Sequence, residues 1–443
     1  MPSDGVADQL PRRNPPACSH HRLAAARPPD TYCASQTPRV PPSGPPAMTF
    51  SPNIANLRPS ATIAVSTLAK KLRAEGRDIL DLSAGEPDFP TPDWISEAAI
   101  EGIREGRTRY TPAPGLPELR KAVAASLGTG IPAGWDLTAE SVVVTSGAKQ
   151  ALFNACFALF GPGDEVLVAT PYWTSYPEIV ELAQATPVFV SGAADRGFRL
   201  TASDLDAVRT PRTRGLILCS PSNPTGTVYS LEELGEVTRW ARDNDVHLIS
   251  DEIYRKIHFG DAEGEDAPGI LDLEPESVGS WVLVDGVSKA FAMTGWRIGY
   301  SVSAPEIARK LSALQSHTTS NAATPSQVAA LAALTRTERA AADIRDMVAA
   351  FRRRRDLVVR LFREKLPQLP VLVPGGAFYL FVRVDGEFTE AVPDSGAWCS
   401  RVLEETGVAM VPGAAFGDDR YARLSFASSD EVLEEAVRRL AAR

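Results

Sequence analysis

Histidine and cysteine are both scarce in this chain, with five of each in 443 residues. His247, His258 and His317 stand far apart, and the adjacent His20-His21 has no ligand set around it. A histidine metal centre is therefore not expected. Cys18, Cys33, Cys156, Cys219 and Cys399 are scattered, odd in number and without a C-x-x-C pair. That usage fits reduced thiols in a cytoplasmic setting better than a disulfide framework. A basic excess is missing as well: 46 Lys+Arg stand against 55 Asp+Glu, for a formal net charge of -9. A nucleic-acid binder relying on phosphate contacts would show a basic stripe, so nucleic acid is not expected as a partner. No run approaches about 18 uninterrupted apolar residues, and no membrane span is expected. The P-loop, nucleophile-elbow, H-E-x-x-H and dinucleotide-binding G-x-G-x-x-G signatures are all absent.

What the chain does have is 44% hydrophobic and 23% charged residues, with length for two or three domains at ~150 residues each. Its prolines cluster. Eleven of the 36 fall in residues 1–47, beside five Arg, three Asp and little apolar material. Such a segment cannot offset its ordering entropy and reads as disordered. It lacks the apolar core of a secretory signal. Dense proline and three Asp fit an extension ahead of a start at Met48 better than a transit peptide.

From about Asp93 to Pro325, short apolar strands alternate with amphipathic helices. Strands are expected at 142–145, 165–169, 215–219, 247–250 and 281–284. Ser230 and Glu233 form a capping box opening a helix that carries Leu231, Leu234, Val237 and Trp240 on one face. This pattern predicts an α/β fold with a mostly parallel sheet between helices. From about Ser326 the character changes to long charged helices, then strands at 377–381, 408–411 and 423–427 and a last helix near 432–440. That tail predicts a smaller α+β domain. The expected division is 1–47, an N-terminal arm at 48–92, a large domain at 93–325 and a small domain at 326–443. The run Arg352-Arg353-Arg354-Arg355 reads as a solvated helix face.

Polar groups gather where strands end. Asn223 follows the 215–219 strand, Asp251 follows 247–250, and Lys289 follows 281–284. In an open parallel sheet, those carboxyl ends line the ligand crevice. The glycine turn at 147–149 adds a helix start able to hold an anion. An acid, an amide, a lysine and an anion cradle converging there call for a common ligand.

Several segments then occur in a telling order: Arg58-Pro-Ser-Ala-Thr62, Ala84-Gly-Glu-Pro-Asp-Phe89, Tyr110-Thr-Pro, Ser220-Pro-Ser-Asn-Pro-Thr-Gly226, Ser250-Asp-Glu-Ile-Tyr254, Ser288-Lys289 through Gly299, and Arg423-Leu-Ser-Phe-Ala427. Together they resemble the class I aminotransferases of the pyridoxal-phosphate (PLP) fold type I superfamily, in the bacterial aspartate/prephenate subgroup. The likeness runs from about Phe50 to Ala441. It implies a seven-stranded large-domain sheet, PLP as cofactor, and a homodimer whose active site is shared between subunits.

The resemblance also implies roles. Lys289 would carry PLP as a Schiff base and shuttle the substrate proton. Asp251 would face the pyridine nitrogen, Asn223 and Tyr254 the phenolic oxygen, and Trp173 the ring face. Gly147, Ala148, Lys149, Arg297, Ser288 and Tyr110 would serve the phosphate, with Tyr110 coming from the neighbouring subunit. One departure stands out, because Gly286 occupies the position where many relatives have a phosphate-binding serine. Arg423 would grip the substrate α-carboxylate, with Gly85, Trp173 and Asn223 beside it. Lys149, Ser60 and Thr62 would meet the distal carboxylate of acidic substrates, and Arg58 together with Lys149 marks relatives that also accept prephenate. The implied reaction is a ping-pong transamination between L-aspartate and 2-oxoglutarate, with prephenate a further substrate. The alternatives are aromatic or alanine-type transamination, or another reaction of the same fold such as C–S lysis.

Overall fold

The computed structural model describes residues 59–262 and 264–443, together with Phe50, Ser51, Ile54 and Leu57. The proline-rich segment, the expected start at Met48 and Arg58 lie outside the described residues. A helix at Ala61–Ala74 precedes the first strand, the two-residue β1 (Leu80–Asp81). The large sheet follows, built from β2 (Val142–Thr145), β3 (Glu165–Thr170), β4 (Thr186–Ser191), β5 (Thr213–Cys219), β6 (His247–Asp251), β7 (Trp281–Gly286) and β8 (Gly299–Ser303). Its seven strands lie in the order β2-β8-β7-β6-β5-β3-β4. Only β8 runs antiparallel to its neighbours. The expected mostly parallel α/β sheet is present.

Alternation along each strand shows why the sheet is covered on both faces. Val142, Val144, Leu216, Leu218, Leu248 and Leu283 point into one core, shared with the helices Asp93–Arg104, Pro117–Leu127 and Leu231–Asp243. Val143, Ile217, Ile249, Val282 and Val284 point into the other, against the helices Ala148–Leu159 and Tyr176–Leu182. The Ser230–Glu233 capping box forms as expected. Leu231 does not join its helix's apolar face; it is 43% exposed, while Leu234, Val237 and Trp240 are buried. Two strands gave no clear signal in the sequence. The edge strand β4 interrupts its apolar residues with Pro187, and β8 buries Ser301 and Ser303 between β2 and β7.

The tail forms β9 (Val371–Leu372), β10 (Tyr379–Arg383), β11 (Val408–Ala409), β12 (Val411–Pro412) and β13 (Tyr421–Ser425). A second sheet has the order β12-β13-β10-β9 and is antiparallel. The strand expected at 377–381 begins only at Tyr379, because Ala377 takes a left-handed φ of 57°. The strand expected at 408–411 divides at Met410: β11 pairs parallel with β1, and β12 antiparallel with β13. Helix Thr324–Thr335 packs Val328, Ala329, Ala330 and Ala333 into a core of the large sheet. By packing, then, the first part of the expected small-domain tail goes with the sheet.

The four-arginine run is not a simple solvated face. On the helix Thr337–Lys365, Arg354 is 8% exposed and donates to Asp88 at 2.8 Å, with Asp430 at 3.6 Å. Its guanidinium also lies over the rings of Phe89 and Phe351. Arg355 covers Phe259, and only Arg353 is largely open to solvent. Helical spacing places one arginine in four on the buried stripe beside Phe351 and Val358, which a count of charges does not reveal. Removing a buried ion-pair partner typically costs about 3–5 kcal/mol. Arg354→Ala is expected to lower stability by that order in urea unfolding, and Arg353→Ala to leave the midpoint nearly unchanged.

Candidate active site

All five chemistry-bearing turns leave the carboxyl ends of parallel strands. β2 runs into Gly147–Lys149, β3 into Trp173, β5 into Asn223, β6 ends on Asp251 ahead of Tyr254, and β7 leads to Ser288 and Lys289. They open on a cavity of about 380 Å³. Ser60, Thr62, Gly85, Ala148, Lys149, Trp173, Asn223, Asp251, Tyr254, Ser288, Lys289, Arg297 and Arg423 all line it. Gly147 sits just behind, against Arg297. Tyr110 is 91% exposed and does not reach this cavity from its own chain.

Two features prepare the floor. Asp251, 3% exposed, accepts a hydrogen bond from the Tyr176 hydroxyl at 2.6 Å and a longer one from the Ile253 amide at 3.3 Å. Burial pushes its carboxyl up to about 6, with Tyr176, Ile253 and the Lys289 charge pulling the other way. Lys289 donates from Nζ to the Gly85 carbonyl at 2.6 Å. Burial, with Arg297 and Arg423 adding repulsion, pushes its amine down to about 8 against the pull of Glu86 and Asp251. An acid and a base are thus both drawn toward neutrality.

Arg423 reaches the cavity from β13. It is 1% exposed, donates to Asn223 Oδ1 at 2.9 Å and to the Ser83 carbonyl at 2.7 Å, and lies over the rings of Tyr379 and Phe416. Its buried Nε has no hydrogen-bond partner. On the opposite strand of the register, Tyr379 shares a 2.7 Å hydrogen bond with Tyr254. Lys149 stands over the Trp173 ring at 4.8 Å, and burial followed by Arg297 lowers the affinity of its amine for a proton. Ser60 and Thr62 are joined by a 2.9 Å hydrogen bond.

The anion cradle differs from expectation in one detail. Gly147 donates its amide to the Thr145 carbonyl at 2.8 Å, closing a tight turn. The amides open to a ligand at this helix start are those of Ala148 and Lys149, since the first turn of a helix lacks internal acceptors. Gly147 takes φ +86°, and a Cβ there would lie 2.4 Å from Arg297 Nη2. The departure at Gly286 also has a physical reason. Gly286 pairs with Gly299 across β7 and β8, and a Cβ on Gly286 would meet the Gly299 Cα at 2.8 Å and the Ile298 carbonyl at 2.9 Å. Gly299 in turn leaves room for the Ala148 amide. A serine cannot enter position 286 without displacing backbone.

Tyr176 and Tyr379 escaped the sequence reading. Tyr176 lies three residues past Trp173 and Tyr379 faces Ser425 across β10 and β13, so each is recognisable only through its partner.

A mostly parallel sheet brings an acid, an amine and a guanidinium to one crevice, and comparison with known proteins gives the class to which that scaffold belongs. Residues 77–440 match the family of class I and II aminotransferases. The chain is 42% identical to an aspartate aminotransferase of Streptomyces avermitilis, over 88% of this chain and 95% of that one. It is equally 42% identical to an aspartate/prephenate aminotransferase of Cereibacter sphaeroides, over 89% and 98% of the two chains. The solved aspartate aminotransferase of Thermus thermophilus with maleate has a TM-score of 0.82 at 39% identity, covering 89% of this chain and 99% of that chain. The chain belongs to the class I and II aminotransferase family and is a transaminase of the aspartate aminotransferase type. The family implies PLP, and among the described residues no helix is long and apolar enough to cross a membrane.

Tyr176→Phe removes the shorter of the two hydrogen bonds to the Asp251 carboxylate. The carboxyl is expected to rise further above about 6, and PLP affinity to fall by roughly 10- to 150-fold, for a charge-assisted bond of about 1.5–3 kcal/mol. Equilibrium dialysis against PLP at several pH values measures this. Gly286→Ser is expected to lower the thermal midpoint, not to strengthen cofactor binding.

Proposed function

We propose that this transaminase moves an amino group between L-aspartate and 2-oxoglutarate, giving oxaloacetate and L-glutamate, and that it also accepts prephenate. The observation that carries the reading is a pair of cations in one cavity. Arg423 is buried and has an unpartnered Nε. Lys149 stands on the cavity wall above Trp173. A dicarboxylate supplies an anion for each. The names of the relatives from Streptomyces avermitilis and Cereibacter sphaeroides support aspartate and prephenate as substrates. Arg58, which bears on prephenate, lies outside the described residues.

The residues present suit PLP. Asp251 offers a buried carboxylate to a cationic ring nitrogen, Asn223 and Tyr254 offer polar atoms to the phenolic oxygen, and Trp173 offers a face. Arg297, Ser288 and the Ala148 and Lys149 amides would hold the phosphate, and Lys289 is the amine that would carry the cofactor. When bound, PLP supplies an electron sink for the charge left at the substrate α-carbon. The protein's own part is positioning and proton transfer. Arg423 exchanges its bonds to the Ser83 carbonyl and Asn223 for a carboxylate, whose two oxygens match the guanidinium fork. Lys149 fixes the distal end, so the Cα–H bond is presented in one orientation. Lys289 Nζ, brought near neutrality, takes and returns the proton, a role worth about 10²–10⁴ in rate.

The reading includes a homodimer, in which the exposed Tyr110 would serve the neighbouring site. It also includes a cytoplasmic setting, supported by free Cys156, Cys219 and Cys399.

A panel of amino and oxo acids, followed by the absorbance change of the PLP-loaded protein and by product formation, tests the assignment. Aspartate and 2-oxoglutarate are expected to lead. Lys149→Ser should reduce kcat/KM for dicarboxylic substrates far more than for alanine, and equal losses would refute the acid pocket. Arg423→Ala is expected to cost about 2–5 kcal/mol in kcat/KM with every amino acid; a loss below tenfold would remove its assignment.

A further inference from the structure

The short run from Ser83 to Glu86 leaves β1 and passes both reactive cations. Its Ser83 carbonyl accepts from Arg423 and its Gly85 carbonyl from Lys289. Glu86 comes next, and its carboxylate is on the cavity rim. Thr294, five residues beyond Lys289, donates its hydroxyl to Glu86 Oε2 at 3.0 Å. This bond ties the Glu86 side chain to the turn that carries Lys289. The chain thus bonds the amine with the Gly85 carbonyl and fixes the next residue's carboxylate on the turn that carries Lys289, in the same cavity.

We infer that Glu86 is a positioning residue for Lys289: fixed by Thr294 next to the Gly85 carbonyl, its charge stabilises the free ammonium form through the cavity, without a direct ion pair. This rests on reading Lys289 as the reactive amine. The groups facing that amine come from every neighbouring element: Arg297 ahead of β8, Arg423 from β13, and Asp251 and Tyr254 at the end of β6. Tyr379 lies behind Tyr254, and Lys149 beside Arg297. Two guanidiniums oppose the ammonium form. Among the anions, Glu86 contributes more than Asp251, and Asp251 is committed to the ring nitrogen under the proposed function. Glu86 is then the anion left to the lysine whenever its amine is free. Its exposure on the solvent side screens the attraction and makes the effect modest.

The test uses the full-length chain freed of PLP, with formaldehyde and cyanoborohydride as the probe. Only the unprotonated amine is methylated, so modification of the Lys289 peptide from about pH 6 to about pH 10 gives the amine's midpoint. Glu86→Gln is expected to lower that midpoint by about half a unit or more, because it removes a neighbouring anion. Glu86→Asp should restore most of the wild-type value, and Thr294→Val should shift it in the same direction by less. An unchanged or raised midpoint in a Glu86→Gln protein with wild-type circular dichroism overturns the inference. If that variant does not fold, Thr294→Val decides, and no downward shift overturns it. The substrate panel fails or succeeds independently, since the midpoint is read without substrate or turnover.

Discussion

One buried guanidinium holds the architecture of this site together. Arg423 sits on the second sheet, yet its hydrogen bonds go to Asn223 beyond the large sheet and to Ser83 beyond β1. At 1% exposure it has surrendered its hydration. Two hydrogen bonds and the faces of Tyr379 and Phe416 replace part of that loss, and Nε is left over. A cation under-compensated in this way favours an incoming carboxylate. The same residue therefore joins three parts of the fold and, under the proposed function, is the group that meets the substrate carboxylate.

Desolvation then does the chemical tuning. The strand ends that bring Asp251 and Lys289 into the crevice also strip them of water, and burial is the largest influence on each. A carboxyl moves up and an amine moves down, so both come within reach of neutral pH without any special partner. The partners refine this. Tyr176 restrains the carboxyl, Glu86 restrains the amine, and Arg297 and Arg423 push the amine further. The net acidity of the chain is no guide to this local balance, because Lys149, Lys289, Arg297 and Arg423 all line the same cavity.

Glycine packing shows a different constraint. Gly147, Gly286 and Gly299 bring the helix start, β7 and β8 closer than any side chain permits. This closeness is what places the Ala148 amide and Arg297 on one side of the cavity. The missing serine at 286 is a consequence of that contact. Arg354 supplies a comparable anchor further out, drawing Asp88 and Asp430 onto the long helix.

Local pattern was enough to reveal the alternation of strands and helices, the capping box at Ser230 and the polar residues that follow strand ends. Each depends on near neighbours and on the periods of helix and strand. The ordered motifs extended this to the family, which implies PLP, and to most of the residues that line the cavity. Tertiary structure alone decided the rest. It paired Tyr176 with Asp251 and Tyr379 with Tyr254, buried Arg354 within a run of like charges, and enclosed the serine-bearing strand β8. It also split Val408–Val411 between two sheets. In each case the deciding partner lies far away in sequence or in a different strand, and no local period records what a side chain will meet once the sheets have closed around it.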